Sequence, residues 1–323
     1  MVARVSQDGP VTTSPVVPSS IPHGRTARRL EWVHLPPMVR TAVERKLGEK
    51  VVDAVSMNSG YTPGFASVLT TAGGARIFVK AASTKAQRAA AESYREEARK
   101  LKALAGWAPA PKLKWVMEEH DWLLLGIEYV EARAPHRPWT EADLATASEL
   151  LVHTAARLTP APGAGWSTFA EDLADVPSCW DALGDLDHAE EAAALARRFA
   201  EVTAGDTLLH TDVRDDNLLL LPDGSALLCD WNFPVVGANW LDSLALLIGP
   251  RGDGLDVEAH LASHPLLGGV DPEAIDIVLA LYTGFFLERS RQPVITALPW
   301  LREVQRWQGE VCRQWLAERR GWS

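Results

Sequence analysis

The chain has 323 residues, 47% apolar and 23% charged, enough for two lobes with separate cores and an ordinary composition for a soluble globular protein. Its net charge of −10 disfavours a nucleic-acid partner, and an acidic surface suits either a cationic substrate or plain solubility. The start at Met1 lacks the apolar core of a signal peptide and no long apolar run occurs, while Cys179, Cys229 and Cys312 are too scattered for a disulfide framework or zinc site. The expectation is therefore a cytoplasmic, reduced protein with no membrane span.

Residues 1–28, rich in Ser, Thr, Val and Pro without periodicity, predict a flexible N-terminal tail. A helix is expected after Pro36-Pro37, with Met38, Val39, Ala42, Val43 and Leu47 on one face and Gly48 ending it. Strands are predicted at 51–57, 65–71 and 76–80, the first two joined by the turn-rich Asn58-Ser-Gly-Tyr-Thr-Pro-Gly64 and the last two by Gly73-Gly74. A charged helix spans 86–104, and Trp122-Leu-Leu-Leu125 is a buried strand running into Glu128-Tyr129-Val130.

From Thr140 the pattern turns helical. Thr140-Glu-Ala-Asp143 begins a helix to about Leu158, Pro160 and Pro162 interrupt the chain, and 187–202 predicts a further helix. Pro222-Asp-Gly224 marks a hairpin between 218–221 and 226–229, and helices are expected at 240–247, 272–289 and 299–319. The resulting organisation is a tail (1–28), a nucleotide-binding lobe with a hinge at its end (29–130) and a catalytic and substrate-binding lobe (131–323).

The chemistry concentrates in Leu208-Leu-His-Thr-Asp-Val-Arg-Asp-Asp-Asn217 and Leu228-Cys-Asp-Trp231. Phosphoryl transfer needs one carboxylate to orient and deprotonate the acceptor hydroxyl, and hard oxygen ligands to hold Mg²⁺ on ATP. Asp212 suits the first role, and Asn217 and Asp230, returned toward one place by the hairpin, suit the second. Arg214 can neutralise charge on the transferring phosphate or pair with Asp215 or Asp216; His210 reads as a brace for the loop and Asp242 as a cap or loop-orienting anion. In the first lobe, Lys80 ends an apolar strand where packing offers no reason for a lysine. Its expected partner is Glu97, with Glu96 as the alternative. Ser59, Gly60 and Thr62 lie where a loop can cover phosphates, and Glu128, Tyr129 and Val130 where backbone can pair with adenine.

With these motifs the chain resembles the aminoglycoside phosphotransferase family, small-molecule kinases with a protein-kinase-like fold, over about Val51 to Leu247. The similarity is carried by the lysine-bearing third strand, Asp121-Trp-Leu-Leu-Leu-Gly126, the His210-x-Asp212-(four residues)-Asn217…Asp230 series, and Gly237-Ala-Asn-Trp-Leu-Asp242, the last resembling actinobacterial members of unassigned substrate. The resemblance implies an α+β bilobal fold with an antiparallel-sheet first lobe and a mainly helical second. It further implies Asp212 as base, Asn217 and Asp230 as metal ligands and Lys80 on the α/β-phosphates. Thr211 stands where the family commonly has glycine, which the loop tolerates if φ is negative there.

The expected activity is transfer of the γ-phosphoryl group of ATP, with Mg²⁺, to a hydroxyl of a small molecule: an aminoglycoside, another antibiotic or an amino sugar. The acidic balance leaves room for a cationic acceptor, and the protein would act as monomer or homodimer. The competing readings are a pseudokinase that binds nucleotide without turnover, and a protein kinase, against which stands the lack of an Ala-Pro-Glu-like signature. Acceptor contacts are expected from Asp215, Trp231, Asn232, Trp240, Glu288, Arg289 and 300–310.

Overall fold

The computed structural model describes residues 16–61 and 63–322. α1 (Pro37–Leu47) starts with proline at its first position, where no amide partner is lost, and ends at Gly48 with φ 77°, a left-handed cap glycine adopts without strain. Val39, Ala42 and Val43 are buried, but Met38 is 54% exposed and lies off the packed face, contrary to the sequence expectation.

β1 (Val51–Ser56), β2 (Phe65–Thr71), β3 (Arg76–Ser83), β4 (Leu113–Glu119) and β5 (Trp122–Glu128) form one antiparallel sheet in the order β1-β2-β3-β5-β4. β4 is a strand the sequence reading does not include. Alternation along the strands sorts the side chains: Val79, Ala81 and Leu124 pack with Trp32, Leu35, Val39 and Val43 on one face. Ala82, Leu123, Leu125 and Ile127 face α2 (Arg88–Ala103) through Tyr94, Ala98 and Leu101. Lys80, in the same parity as Ala82, is thereby carried onto the α2 side.

The second lobe is mainly helical. α3 (Glu141–Arg157) is capped by the Thr140 hydroxyl, which accepts from the Asp143 amide. α4 (Phe169–Asp172) and a 3₁₀ segment, Val176–Ala182, follow; α5 (Ala189–Ala196) and α6 (Phe199–Val202) then occupy the stretch expected to be a single helix. β6 (Thr207–Leu209) pairs with β9 (Val235–Gly237), and inside that pair sits the hairpin of β7 (Leu218–Leu220) and β8 (Ala226–Leu228). α7 (Leu241–Leu246), α8 (Ile248–Gly252), α9 (Val257–Ser263), α10 (Pro272–Ser290) and α11 (Leu301–Arg320) complete the lobe around a core that includes Trp307 and Trp315. Among the described residues no helix is long and apolar enough to cross a membrane.

The expectation of a flexible tail over 1–28 does not hold for residues 16–28; residues 1–15 lie outside the described ones. The Val16 and Val17 amides donate to the Gly252 carbonyl at 3.0 and 3.3 Å, and the Trp307 indole donates to Val17 O at 2.8 Å. Thr26 and Ala27 are buried, and the Ala27 amide donates to Asn58 O at 2.9 Å. Lack of periodicity here reflects an extended segment whose backbone bonds go to other elements.

Candidate active site

The loop from His210 to Asn217 leaves β6 and turns into β7 through a 3₁₀ turn at Asp215–Asn217. Its shape is set by buried groups. Asp242, at the start of α7, accepts the His210 amide at 2.7 Å and the Thr211 amide at 2.9 Å, which makes it the loop-orienting anion. His210 is fully buried; its Nδ1 accepts the Asp212 amide at 3.2 Å, so Nε2 is the N–H that donates to Cys229 O at 2.9 Å. This imidazole ties the 210–217 loop to the strand end that bears Asp230. Thr211 has φ 63°, so the condition of negative φ fails. A β-branched residue is held in the left-handed region by the two Asp242 bonds and by its own hydroxyl, which donates to Phe233 O at 2.7 Å.

Asp212 lies beside Asn217, whose Nδ2 donates to the Asp212 carbonyl at 2.8 Å and to its Oδ2 at 3.0 Å. The hairpin then acts as a spacer: β7 and β8 pair in register and the Cys229 amide donates to Asn217 O at 3.0 Å, placing Asp230 one residue away. Asp230 has φ 65°, which aspartate tolerates better than most residues, and its Oδ1 accepts from Lys80 Nζ at 2.7 Å and Asn232 Nδ2 at 2.8 Å. Lys80 Nζ also donates to both oxygens of Glu97 at 2.8 Å, while Glu96 pairs with Arg99 on the exposed side of α2.

Two carboxylates thus share one buried ammonium. Burial pushes Glu97 up to about 7 against the pull of Lys80. Burial also opposes ionisation of Asp230, but Lys80 holds it below the ordinary carboxylate range, and burial of Lys80 is outweighed by Asp230 and Glu97, which raise it.

Arg214 lies between Asp212 Oδ1 and Asp216, reaching the latter at 2.9 and 3.1 Å, and its guanidinium is 5.1 Å from the Tyr61 ring centre. Burial works against this cation, yet the two aspartates keep it well above the ordinary arginine value. Asp215 points elsewhere, to Arg137 at 3.1 Å, and Arg137 also grips Asp253 at 2.7 and 3.1 Å. Sequence reasoning missed Arg137 and Asp253; neither sits in a motif, and a pair 116 residues apart leaves no local signal.

In the first lobe, the Ser59 carbonyl accepts from Arg29 at 2.8 Å and the Gly60 carbonyl from the Thr26 hydroxyl at 3.1 Å; Thr62 lies outside the described residues. Gly60 has φ 89°, a turn that would strain any other residue. The Glu128 amide donates to Lys112 O at 2.8 Å and its carboxylate pairs with Lys114, so both groups are committed to the sheet edge, and Tyr129 and Val130 follow the end of β5. Tyr129 stacks under Arg76 at 3.9 Å.

Asp212, Arg214, Asp230 and Tyr61 open onto one cavity of about 1030 Å³, bounded by α4, the 3₁₀ segment, α10 and the start of α11. Of the expected acceptor contacts, Asn232, Glu288, Arg289, Leu301, Val304, Gln305 and Gln308 line it. Trp231 and Trp240 do not: both are core residues, 0% and 7% exposed, and Asp215 is taken by Arg137. Among the described residues no group of three or more His, Cys, Asp or Glu could hold a metal ion unaided. An amide oxygen at Asn217 and a carboxylate at Asp230 are nevertheless hard donors of the kind that bind Mg²⁺ when phosphates and water supply the remaining ligands. The residues present fit a metal that arrives with a nucleotide.

The model of the phosphotransferase enzyme family matches residues 58–272, and the chain belongs to that family. The fold is likewise that of solved small-molecule kinases. The choline kinase LicA of Streptococcus pneumoniae is 16% identical, with a TM-score of 0.60 over 88% of this chain and 99% of that one. An aminoglycoside phosphotransferase crystallised with ADP and hygromycin B is 13% identical, with a TM-score of 0.58 over 86% and 97%. The aminoglycoside phosphotransferase of Alicyclobacillus acidocaldarius is 15% identical, with a TM-score of 0.54 over 89% and 96%. No curated protein sequence matches the chain.

Proposed function

We propose that the protein transfers the γ-phosphoryl group of ATP to a hydroxyl of a small, cationic molecule, with Asp212 as the general base and Asn217 and Asp230 as the protein's ligands to Mg²⁺. The observation that carries this reading is the direct bond from Lys80 Nζ to Asp230 Oδ1, which joins the ammonium of the first lobe to the carboxylate of the second beside the cavity that Asp212 lines. Mg·ATP would supply the electrophilic phosphorus and neutralise charge on the departing ADP.

The chain's own residues do the rest. Lys80, steadied by Glu97, is the cation for the nucleotide phosphates, and the backbone at Ser59 and Gly60 covers them. Tyr129 and Val130 offer main-chain groups to the base. Asn217 holds the Asp212 carboxylate through Oδ2, orienting it toward an acceptor hydroxyl whose proton it takes as the phosphoryl group moves. Arg214 neutralises Asp212 at rest; with substrate bound it is placed to offset the charge of the transferring group.

The test is ADP release with Mg·ATP across aminoglycosides, other hydroxylated antibiotics, amino sugars and choline. Asp212→Asn is expected to keep ATP affinity and lose at least about 10²-fold in turnover, the scale for removing a general base. Unchanged turnover removes Asp212 from the role. Nucleotide binding with no stimulated release by any acceptor supports the pseudokinase reading instead.

A further inference from the structure

α10 is apolar around nearly its whole circumference because it is packed on most sides, against α5, α6, the 3₁₀ segment and α11. One side is core: Ile275, Val278 and Leu279 are fully buried. The other carries Tyr282, Phe285, Phe286 and Arg289 at i, i+3, i+4 and i+7, a single stripe, and this stripe lines the cavity that Asp212 opens onto. The rings pack on one another, Tyr282–Phe286 at 6.1 Å and Phe285–Phe286 at 5.3 Å between centroids, so they form a continuous wall. At the catalytic end, Phe233 lines the same cavity, 58% exposed, its backbone held by the Thr211 hydroxyl. An aromatic wall and an exposed phenylalanine around about 1030 Å³ of open volume are poor surroundings for a hydrophilic ligand and good ones for an apolar body.

Charge lines the cavity at the loop, through Asp212, Arg214 and Asp230, on α10, through Glu288 and Arg289, and at a third place. There Asp172 at the end of α4, Asp175 just before the 3₁₀ segment and Asp181 within it line the cavity and are exposed. The α10 side offers only Glu288, already engaged by Arg289 and Gln292. The two basic lining residues are Arg289, beside Glu288, and Arg214, held by Asp212 and Asp216. A hydrophilic polyamine, with ammonium groups spread over its length, would lay several of them against rings. A molecule with one cationic end would lay its amine at the three aspartates and its body along α10.

We propose that the acceptor is an amphiphilic monocation: an extended apolar body, one amine bound at Asp172, Asp175 and Asp181, and a hydroxyl presented to Asp212. The inference rests on the phosphoryl-transfer reading of the same site, and it is tested by binding so that the two can fail separately.

Calorimetry compares choline, its N-decyl analogue (one methyl replaced by a decyl chain, used below its micellar concentration) and the aminoglycoside kanamycin, with Mg·AMP-PNP present. The decyl analogue keeps the hydroxyl and the charge of choline and differs only in apolar surface. It is expected to bind at least roughly 30-fold more tightly than either of the others. Phe285→Ser with Phe286→Ser should remove at least about tenfold of its affinity and leave choline unchanged, whereas Phe285→Leu with Phe286→Leu should retain it. Asp175→Asn with Asp181→Asn should weaken the decyl analogue relative to an uncharged alcohol of the same length. Tighter binding of kanamycin, equal binding of choline and its decyl analogue, or no binding of any of the three overturns the proposal; the wild-type comparison stands whether or not a variant folds. ADP release with Mg·ATP in parallel reports on phosphoryl transfer itself. Release with kanamycin alone would keep the transfer and sink this inference. Binding of the decyl analogue without release by any hydroxylated amphiphile would do the opposite.

Discussion

Thr211 sits next to Asp212, the proposed general base, in a conformation that costs a β-branched residue on the order of 1–2 kcal/mol. Three bonds hold it there: its amide and that of His210 on Asp242, and its hydroxyl on Phe233 O. The hydroxyl therefore offsets part of the strain, and the two terms can be separated. Thr211→Gly removes the strain and the bond together and adds chain entropy to the unfolded state, so its stability should stay within about 1 kcal/mol of wild type. Thr211→Val keeps the branched Cβ and loses only the hydroxyl, so it should be the less stable variant by about 1 kcal/mol or more. Urea unfolding of the three proteins checks the order; Val equal to Thr would mean that the hydroxyl contributes nothing. The departure from glycine was visible in the sequence, but the sign of φ was not, because it is imposed by a carboxylate 31 residues away. Asp212, Asn217 and Asp230 could be singled out for the opposite reason: a short turn and a hairpin, both local, set their spacing. Arg214 remained ambiguous between the transferring phosphate and pairing with Asp215 or Asp216; it is held by Asp216 and Asp212, while Asp215 is taken by Arg137.

At the scale of elements, the reading succeeded where periodicity or turn chemistry was strong and failed where a strand is defined by its neighbour. β4 alternates poorly, and across the sheet its Trp115 lies over Gly126 of β5, where an added Cβ would come within 2.1 Å of the indole. Gly126 is thus the space that lets the edge strand dock. Gly126→Ala should destabilise the protein by about 1–3 kcal/mol, and Trp115→Leu should recover part of that loss, a coupling a double-mutant cycle in urea would show. Additive effects would mean that the indole moves aside freely. The turn after α9 bears a second test. Burial, with His260 beside it, holds the His264 imidazole down at about 4. In the unfolded chain it takes up its proton near 6.5. The unfolded state therefore binds more protons between these values, and the stability of the folded state is retained above about pH 6.5 and lost as pH falls toward 4. His264→Leu should flatten that slope by at most about 1.4 kcal/mol per pH unit, the limit for one proton, and an unchanged slope between pH 7 and pH 5 would assign the loss to other groups.

At the scale of the whole molecule, several contacts join the lobes, among them Lys100 Nζ with Asn232 O and Arg214 with the Tyr61 ring, and two further connections bear on the cleft. One is the Lys80–Asp230 pair, which a bound metal and nucleotide would have to rearrange. The other is the extended segment 16–29. Its first residues are fixed to the second lobe at Gly252 and Trp307, and its last to the turn between β1 and β2 through Ala27–Asn58, Thr26–Gly60 and Arg29–Ser59. No core of its own stabilises this segment; it is extended backbone whose hydrogen bonds lie on two other elements, which is why composition alone suggested a tail. It is a strap between the second lobe and the 58–61 stretch, close to where Tyr61 meets Arg214. Removing residues 1–24 leaves Thr26, Ala27 and Arg29 on the loop but cuts the anchor on the second lobe. The loop should then sample open positions, raising KM for ATP roughly 3–10-fold, about 0.7–1.4 kcal/mol, with a smaller change in turnover at saturating ATP. Amide exchange at 58–61 should quicken in step, while exchange in α10 and the unfolding midpoint of the second lobe should hold, because Val17 and Ile21, the residues of 16–24 packed on its core, are only partly buried. If KM and exchange at 58–61 both stay at wild-type values, the loop is set by the sheet alone and residues 16–24 are only a covering.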